Sequence, residues 1–378
     1  MTSGEWRVAR KRTALWLAVI VGVILLSCIP SSGAEWKQAV EPWTWSFPRD
    51  HGSHPDFRTE WWYFTGNLED TAGKRYGYQL TFFRQGVNLQ PKDPQNPWSI
   101  RDLYLAHFTL TDVTPGQFSF AEHLSRKGPG FAQAAQDGMD VHLLNWSAKM
   151  EGNTVRIEAR DHEMELSLKL TPTKPVVLHG EHGLSKKGAK QGQSSYYYSF
   201  TDLQTDGTIK MPGSQFPIRV RGTSWFDHEF GSNQLAQDQT GWDWFSVHLS
   251  DGQDLMIYFL RRSDESVEPT SSGTLVTATG GATHLRLADI SIEVLDRWKS
   301  QRSGGTYPSK WRIFIRPANI KIVLTPLVSN QELVTGGSTG VTYWEGAVAG
   351  TGTSGGKRVT CEGYVEMTGY AGSIGGIF

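Results

Sequence analysis

Thr154-Val155-Arg156-Ile157-Glu158-Ala159 runs through Asp161-His162-Glu163 into Met164-Glu165-Leu166-Ser167-Leu168-Lys169-Leu170-Thr171. Val155, Ile157 and Ala159 alternate with Thr154, Arg156 and Glu158; Met164, Leu166, Leu168 and Leu170 alternate with Glu165, Ser167, Lys169 and Thr171. Successive side chains of a strand point to opposite faces, so this period of two reads as two half-buried strands joined in a hairpin. The same alternation recurs at residues 103–111, 218–221, 255–260, 311–315 and 320–324, with Gly-bearing turns at 151–153, 251–252 and 280–281. Residues 285–299 come nearest to a helical spacing and remain ambiguous. The fold class is all-β.

Composition agrees. Forty-one glycines and fifteen tryptophans in 378 residues suit tight turns between aromatic-rich strands rather than a helical bundle. Thirty-seven Lys and Arg against thirty-eight Asp and Glu give a net charge of −1, which argues against a dedicated nucleic-acid binder.

Residues 62–84 and 244–261 resemble each other. Each has a Trp-led strand, a turn opened by Asp, and a returning strand ending in Arg84 or Arg261. Two copies about 180 residues apart predict tandem β-barrels of roughly eight strands each. The polar stretch 205–217 marks the junction, giving an N-terminal domain over 35–215 and a C-terminal domain over 216–378. Barrels of this size either fill with side chains or enclose one apolar ligand.

The first 34 residues read as a secretion signal. Arg7, Arg10, Lys11 and Arg12 precede an uncharged apolar run over 14–26, too short for a comfortable membrane span. Ser32-Gly33-Ala34 offers a cleavage site that releases a chain starting at Glu35. Leu25-Leu26-Ser27-Cys28 offers instead a lipobox, after which Cys28 would carry a lipid anchor. Either reading sends the chain across the inner membrane, to the periplasm or cell envelope. The other cysteine, Cys361, lies in a strand-like stretch and reads as a buried, inert thiol.

Three stretches could carry chemistry. In Asp50-His51-Gly52-Ser53-His54-Pro55 with Glu60-Trp61-Trp62-Tyr63, the histidines and Glu60 could ligate a metal or could hydrogen-bond the backbone at a barrel rim. No established metal motif supports the first, so no metal is assigned. In Trp225-Phe226-Asp227-His228-Glu229-Phe230, an acid raised by an apolar wall could protonate a substrate while the His handles water. The same three groups could form a network that locks two barrels together. Trp242-Asp243-Trp244 plants its rings either in a core or in a pocket wall. His107 reads as a hydrogen-bonded core histidine, residues 186–193 as a solvated loop, and the Gly-rich stretches 336–340 and 350–356 as turns. No G-x-S-x-G nucleophile elbow is present.

These motifs, with Ala106-His107-Phe108, Tyr196-Tyr197-Tyr198-Ser199, Tyr343-Trp344-Glu345-Gly346 and Gly363-Tyr364-Val365-Glu366-Met367-Thr368-Gly369-Tyr370, resemble the AttH / carotenoid 1,2-hydratase-like family. The resemblance runs from Trp43 to Tyr370. It implies two lipocalin-like (calycin) domains and an apolar lipid or isoprenoid ligand. The family includes cofactor-independent hydratases of isoprenoid double bonds, and envelope proteins associated with ABC transporter genes. Some members are labelled secreted hydrolases.

In the hydratase version Asp227 is the acid, His228 or Glu229 the water-handling base, and Trp225, Trp242, Trp244 and Tyr258 the aromatic wall. His51, His54, Glu60, Trp62, Tyr63 and Trp344 complete the expected ligand-binding set. A ligand-binding envelope protein with a transporter as partner is the first expectation, a hydratase the alternative, and a structural protein with filled barrels the third.

Overall fold

The computed structural model describes residues 35–374 apart from Pro94, Pro97, Pro129 and Gln234, so the stretch expected to be a secretion signal, and Cys28 with it, lies outside the described residues. Among those residues the chain forms two antiparallel sheets, of thirteen and ten strands, each curled into a nearly closed barrel. The hairpin Thr154–Asp161 to Met164–Pro172 forms as its alternation requires. Val155, Ile157, Leu166, Leu168 and Leu170 are buried, and His162 takes the positive φ of the turn.

The first barrel is centred on Thr59–Asp70, which pairs with Arg75–Gly86 on one side and Ile218–Gly231 on the other. Beyond them lie Asp102–Asp112, then the edge strand Gln117–Arg126, and on the far side Ser194–Lys210. Its interior is filled by Trp62, Phe64, Leu80, Phe82, Phe108 and Trp146 with the hairpin's aliphatic side chains. The second barrel contains Gln239–Leu249, flanked by Asp254–Arg262 and Lys357–Thr368, with Thr342–Ser354 next. Phe245, Val247, Ile257, Trp311, Trp344 and Met367 fill it.

The structure shifts three expectations. The stretch 205–217 spans the end of one strand and the turn of a hairpin, because Ile218–Gly231 stays bonded within the first sheet. The change of sheet therefore falls between Gly231 and Gln239, not at 215/216. Residues 285–299 are two strands, Ala282–Arg286 and Ile290–Lys299, around a single 3-10 turn. Of the Gly-rich stretch 350–356, residues 350–354 are strand: a Cβ on Gly350 would stand 2.0 Å from the Val323 carbonyl oxygen, which explains glycine there.

The internal repeat is real in architecture but displaced by one residue. Trp62 points into the first barrel, whereas Trp244 points out of the second. Since a slip of one residue exchanges the faces of a strand, the matching inward ion pairs are Glu60–Arg84 and Asp243–Arg261.

Candidate active site between the two barrels

The outward faces of the two central hairpins meet. On the strand 218–231, Trp225, Asp227 and Glu229 turn towards the second barrel, while Phe226, His228 and Phe230 turn into the first. Strand geometry thus separates the contiguous Asp227-His228-Glu229 group: Asp227 and Glu229 share a cavity, and His228 lies on the other side of the sheet.

The cavity lies between the sheets. Its volume is ≈ 100 Å³, room for several waters or one end of a ligand. Cross-strand pairing assembles its walls. Phe83, Trp61, Glu229 and Tyr197 are successive neighbours across the first sheet, as are Thr81, Tyr63, Asp227 and Ser199. Across the second sheet run Tyr258, Trp244, Glu366 and Glu345. Trp242, Tyr343 and His107 add to the wall.

The carboxyls differ in their partners. Asp227 accepts from Tyr197 Oη at 2.6 Å, from Trp225 Nε1 at 2.5 Å and from Ser199 Oγ. Burial pushes it up to about 7 against the pull of those three donors. His179, buried behind Ser199, holds that hydroxyl at 2.6 Å. Glu229 pairs with Lys187 at 2.9 Å and accepts from Ser195. Burial would lower the Lys187 ammonium, but Glu229 outweighs this, and Nζ lies 4.1 Å from the Tyr258 ring centroid.

Glu345 is fully buried. Its Oε1 accepts from Tyr63 Oη at 2.6 Å, and its Oε2 has no partner. Burial drives its carboxyl well above the ordinary range, and the adjacent Glu366, itself pushed by burial up to about 8, adds to this. Asp227 is therefore poised near neutrality, while Glu345 keeps its proton. His107, driven by burial down to about 3, is a neutral wall residue bonded to Tyr343 Oη at 2.7 Å.

The other expected site residues lie elsewhere. Glu60 is fully buried on the inward face of its strand, among the residues at the start of the first sheet. It accepts from the His54 backbone, His54 Nδ1, His228 Nε2 and Arg84 Nε at 2.8–3.0 Å. Burial alone would raise it, but these histidines and Arg84 hold it far below the usual carboxylate range. His51 joins the same network through Tyr198 Oη at 2.7 Å, and Trp62 stacks on His228. His54, Glu60 and His228 have ligand atoms within 4.8 Å of one another, yet these atoms already bond one another. They form a structural network.

Trp225 stands behind Asp227, and Trp344 packs in the second core. Of the expected set, the cavity holds Asp227, Glu229, Tyr63, Trp242, Trp244 and Tyr258. It adds Glu345, Glu366, Lys187 and Tyr197, which the sequence reading did not select. Lys187, placed there in a solvated loop, is buried because Glu229 meets it. The alternation in Tyr343-Trp344-Glu345 did signal that Glu345 faces away from Trp344. Cys361 is a buried thiol that burial pushes up to about 12.

The raised carboxyls fix a pH dependence of stability. Asp227 and Glu366 hold protons in the folded state that the unfolded chain releases. Their contribution is complete below the ordinary carboxylate range and is lost as pH rises through about 7 and about 8. Asp50 and Glu60, both lowered, contribute above that range and lose their contribution only in stronger acid. Below about pH 6.5 the buried neutral histidines, His51 and His107 among them, act in the opposite sense, so the decrease is expected to show as a thermal midpoint that falls between about pH 7 and about pH 8. A midpoint that climbs over that interval would contradict the assigned carboxyl environments.

Two lipocalin-like barrels enclosing an acid-lined aromatic cavity at their junction define the architectural class. The AttH-like family model matches residues 38–370, and the chain belongs to that family. Among solved structures it is similar to a protein described as AttH from Nitrosomonas europaea, at 35% identity and a TM-score of 0.78, over 88% of this chain and 99% of that one. Kievitone hydratase from Nectria haematococca shares the fold at 16% identity and a TM-score of 0.66, over 88% and 94% of the two chains. CghA, in a structure with Sch210972, shares it at 12% and 0.53, over 88% and 98%. No curated protein matches the sequence.

Proposed function

We propose that the protein is a hydratase of apolar unsaturated chains, isoprenoid in class, acting through its own side chains in the inter-barrel cavity. The observation that carries this reading is the Glu345 carboxyl, buried among aromatic rings with one oxygen unpartnered. Burying an unsatisfied polar group costs about 1–3 kcal/mol, which passive storage of a lipid gives no reason to sustain. The architecture shared with kievitone hydratase is compatible with such chemistry.

Glu345 donates its proton to one carbon of the double bond, and the cation that forms at the other faces the surrounding aromatic rings. Water attacks that carbon and passes a proton to Asp227, which near neutrality is partly ionised. Tyr63, opposite Asp227 across the sheet and bonded to Glu345, is placed to return the proton. The balance is one water added and no net proton consumed. Lys187 keeps Glu229 compensated.

Incubation with an unsaturated prenyl chain in isotopically labelled water tests the reading by mass spectrometry. A product one water heavier and carrying the label is expected. A bound chain returned unchanged under all conditions would instead favour the carrier reading, an envelope protein delivering an apolar ligand to a transporter.

A further inference from the structure

The outer face of the first sheet carries an apolar row that neither barrel core explains. Trp61 pairs across the sheet with Phe83, Phe83 with Leu105, and Leu105 with Leu124. Four side chains therefore stand in line across four strands, over about 14 Å at the usual strand spacing. Trp61 and Phe83 line the inter-barrel cavity. The same two residues, with Leu105, Leu124 and Thr339, line a second hollow beside it. Leu124, at the sheet edge, is 46% exposed, and Val87 near it is 50% exposed.

The adjacent row is different. Tyr63, Thr81, His107 and Glu122 are polar cross-strand neighbours. The 336–340 loop covers the outer part of this row: Ser338 Oγ bonds His107 Nε2 at 2.9 Å and also Glu122, and the Gly337 N–H reaches Glu122 at 3.1 Å. A solvated sheet face is normally polar, so an apolar row with one end in the cavity, a partly buried middle and an exposed end at Leu124 calls for an occupant.

We propose that the Trp61–Phe83–Leu105–Leu124 row is the track for the apolar tail of the ligand whose double bond lies at Glu345, with Thr339 beside the passage between the two hollows. This inference rests on the function proposed above and adds that the natural ligand is a chain longer than the cavity. Continuity fixes the occupant: the row shares Trp61 and Phe83 with the cavity, so a chain leaving the cavity between them meets Leu105 next and Leu124 last.

Isothermal titration calorimetry of the full protein with geraniol, farnesol and geranylgeraniol tests the track. Affinity is expected to increase along that series. Leu124→Glu is expected to weaken geranylgeraniol about tenfold more than geraniol, since it replaces an apolar contact met only by the longer chain. Leu105→Asn, a milder change one strand inward, gives the same selective loss and guards against a folding defect in the first variant. Affinity independent of length, or equal losses for all three alcohols, overturns the track and leaves the cavity reading intact. If none of the three alcohols binds, the proposed ligand class fails and the track fails with it.

Discussion

The Glu345→Gln protein is expected to bind an unsaturated apolar chain much as the native protein does and to hydrate it about a thousandfold more slowly. Glutamine keeps the shape and can still accept from Tyr63 through its carbonyl oxygen. It lacks only an acidic proton to give to carbon. The fold should survive, because the change removes a buried ionisable group and no hydrogen-bond partner is orphaned by it. Turnover and binding must be measured on the same preparation. Undiminished turnover would remove Glu345 from the chemistry and return the acid role to Asp227 or Glu366.

Asp227→Asn has the second-largest expected effect, a loss of about a hundredfold in turnover, with ligand affinity nearly unchanged. The asparagine oxygen can still accept from Ser199 and Trp225, and its amide can donate to Tyr197 Oη. The diagnostic readout is the pH profile. In the native protein the rate should rise through about pH 7 as Asp227 ionises, and in the variant that limb should disappear. A variant that retains the limb shows that another group activates the water. If the asparagine protein fails to fold while Glu345→Gln folds, Asp227 is a structural tie between Tyr197, Ser199 and Trp225, and the base must be sought elsewhere. The two substitutions are not expected to be additive, because acid and base act on one substrate in one reaction.

How far the sequence could be read depended on whether the physical signal was local. The 154–171 hairpin was legible because alternation and turn chemistry both act over a few residues. Of the residues singled out in the sequence, Asp227, Glu229, Tyr63, Trp242, Trp244 and Tyr258 meet in one cavity. Adjacency in sequence misled twice. Asp227-His228-Glu229 looks like one group, yet a strand sends its middle residue to the opposite face, into the Glu60 network. Trp344 was expected in the ligand-binding set, yet it packs in the second core and its neighbour Glu345 faces the cavity. Lys187 was lost among the polar residues of a loop because its partner, Glu229, is distant in sequence.

The sequence by itself determined the all-β class, the doubling of the barrel and the family, since these follow from periodicity, repetition and ordered motifs along one dimension. Only the tertiary structure decided that both barrel interiors are packed and that the acid-lined cavity lies between them, because the register of pairing chooses which set of alternating side chains faces the partner sheet. It also decided which acid holds its proton. Asp227 gains three donors and Glu345 only one, and that difference arises from residues brought together across strands far apart in the chain.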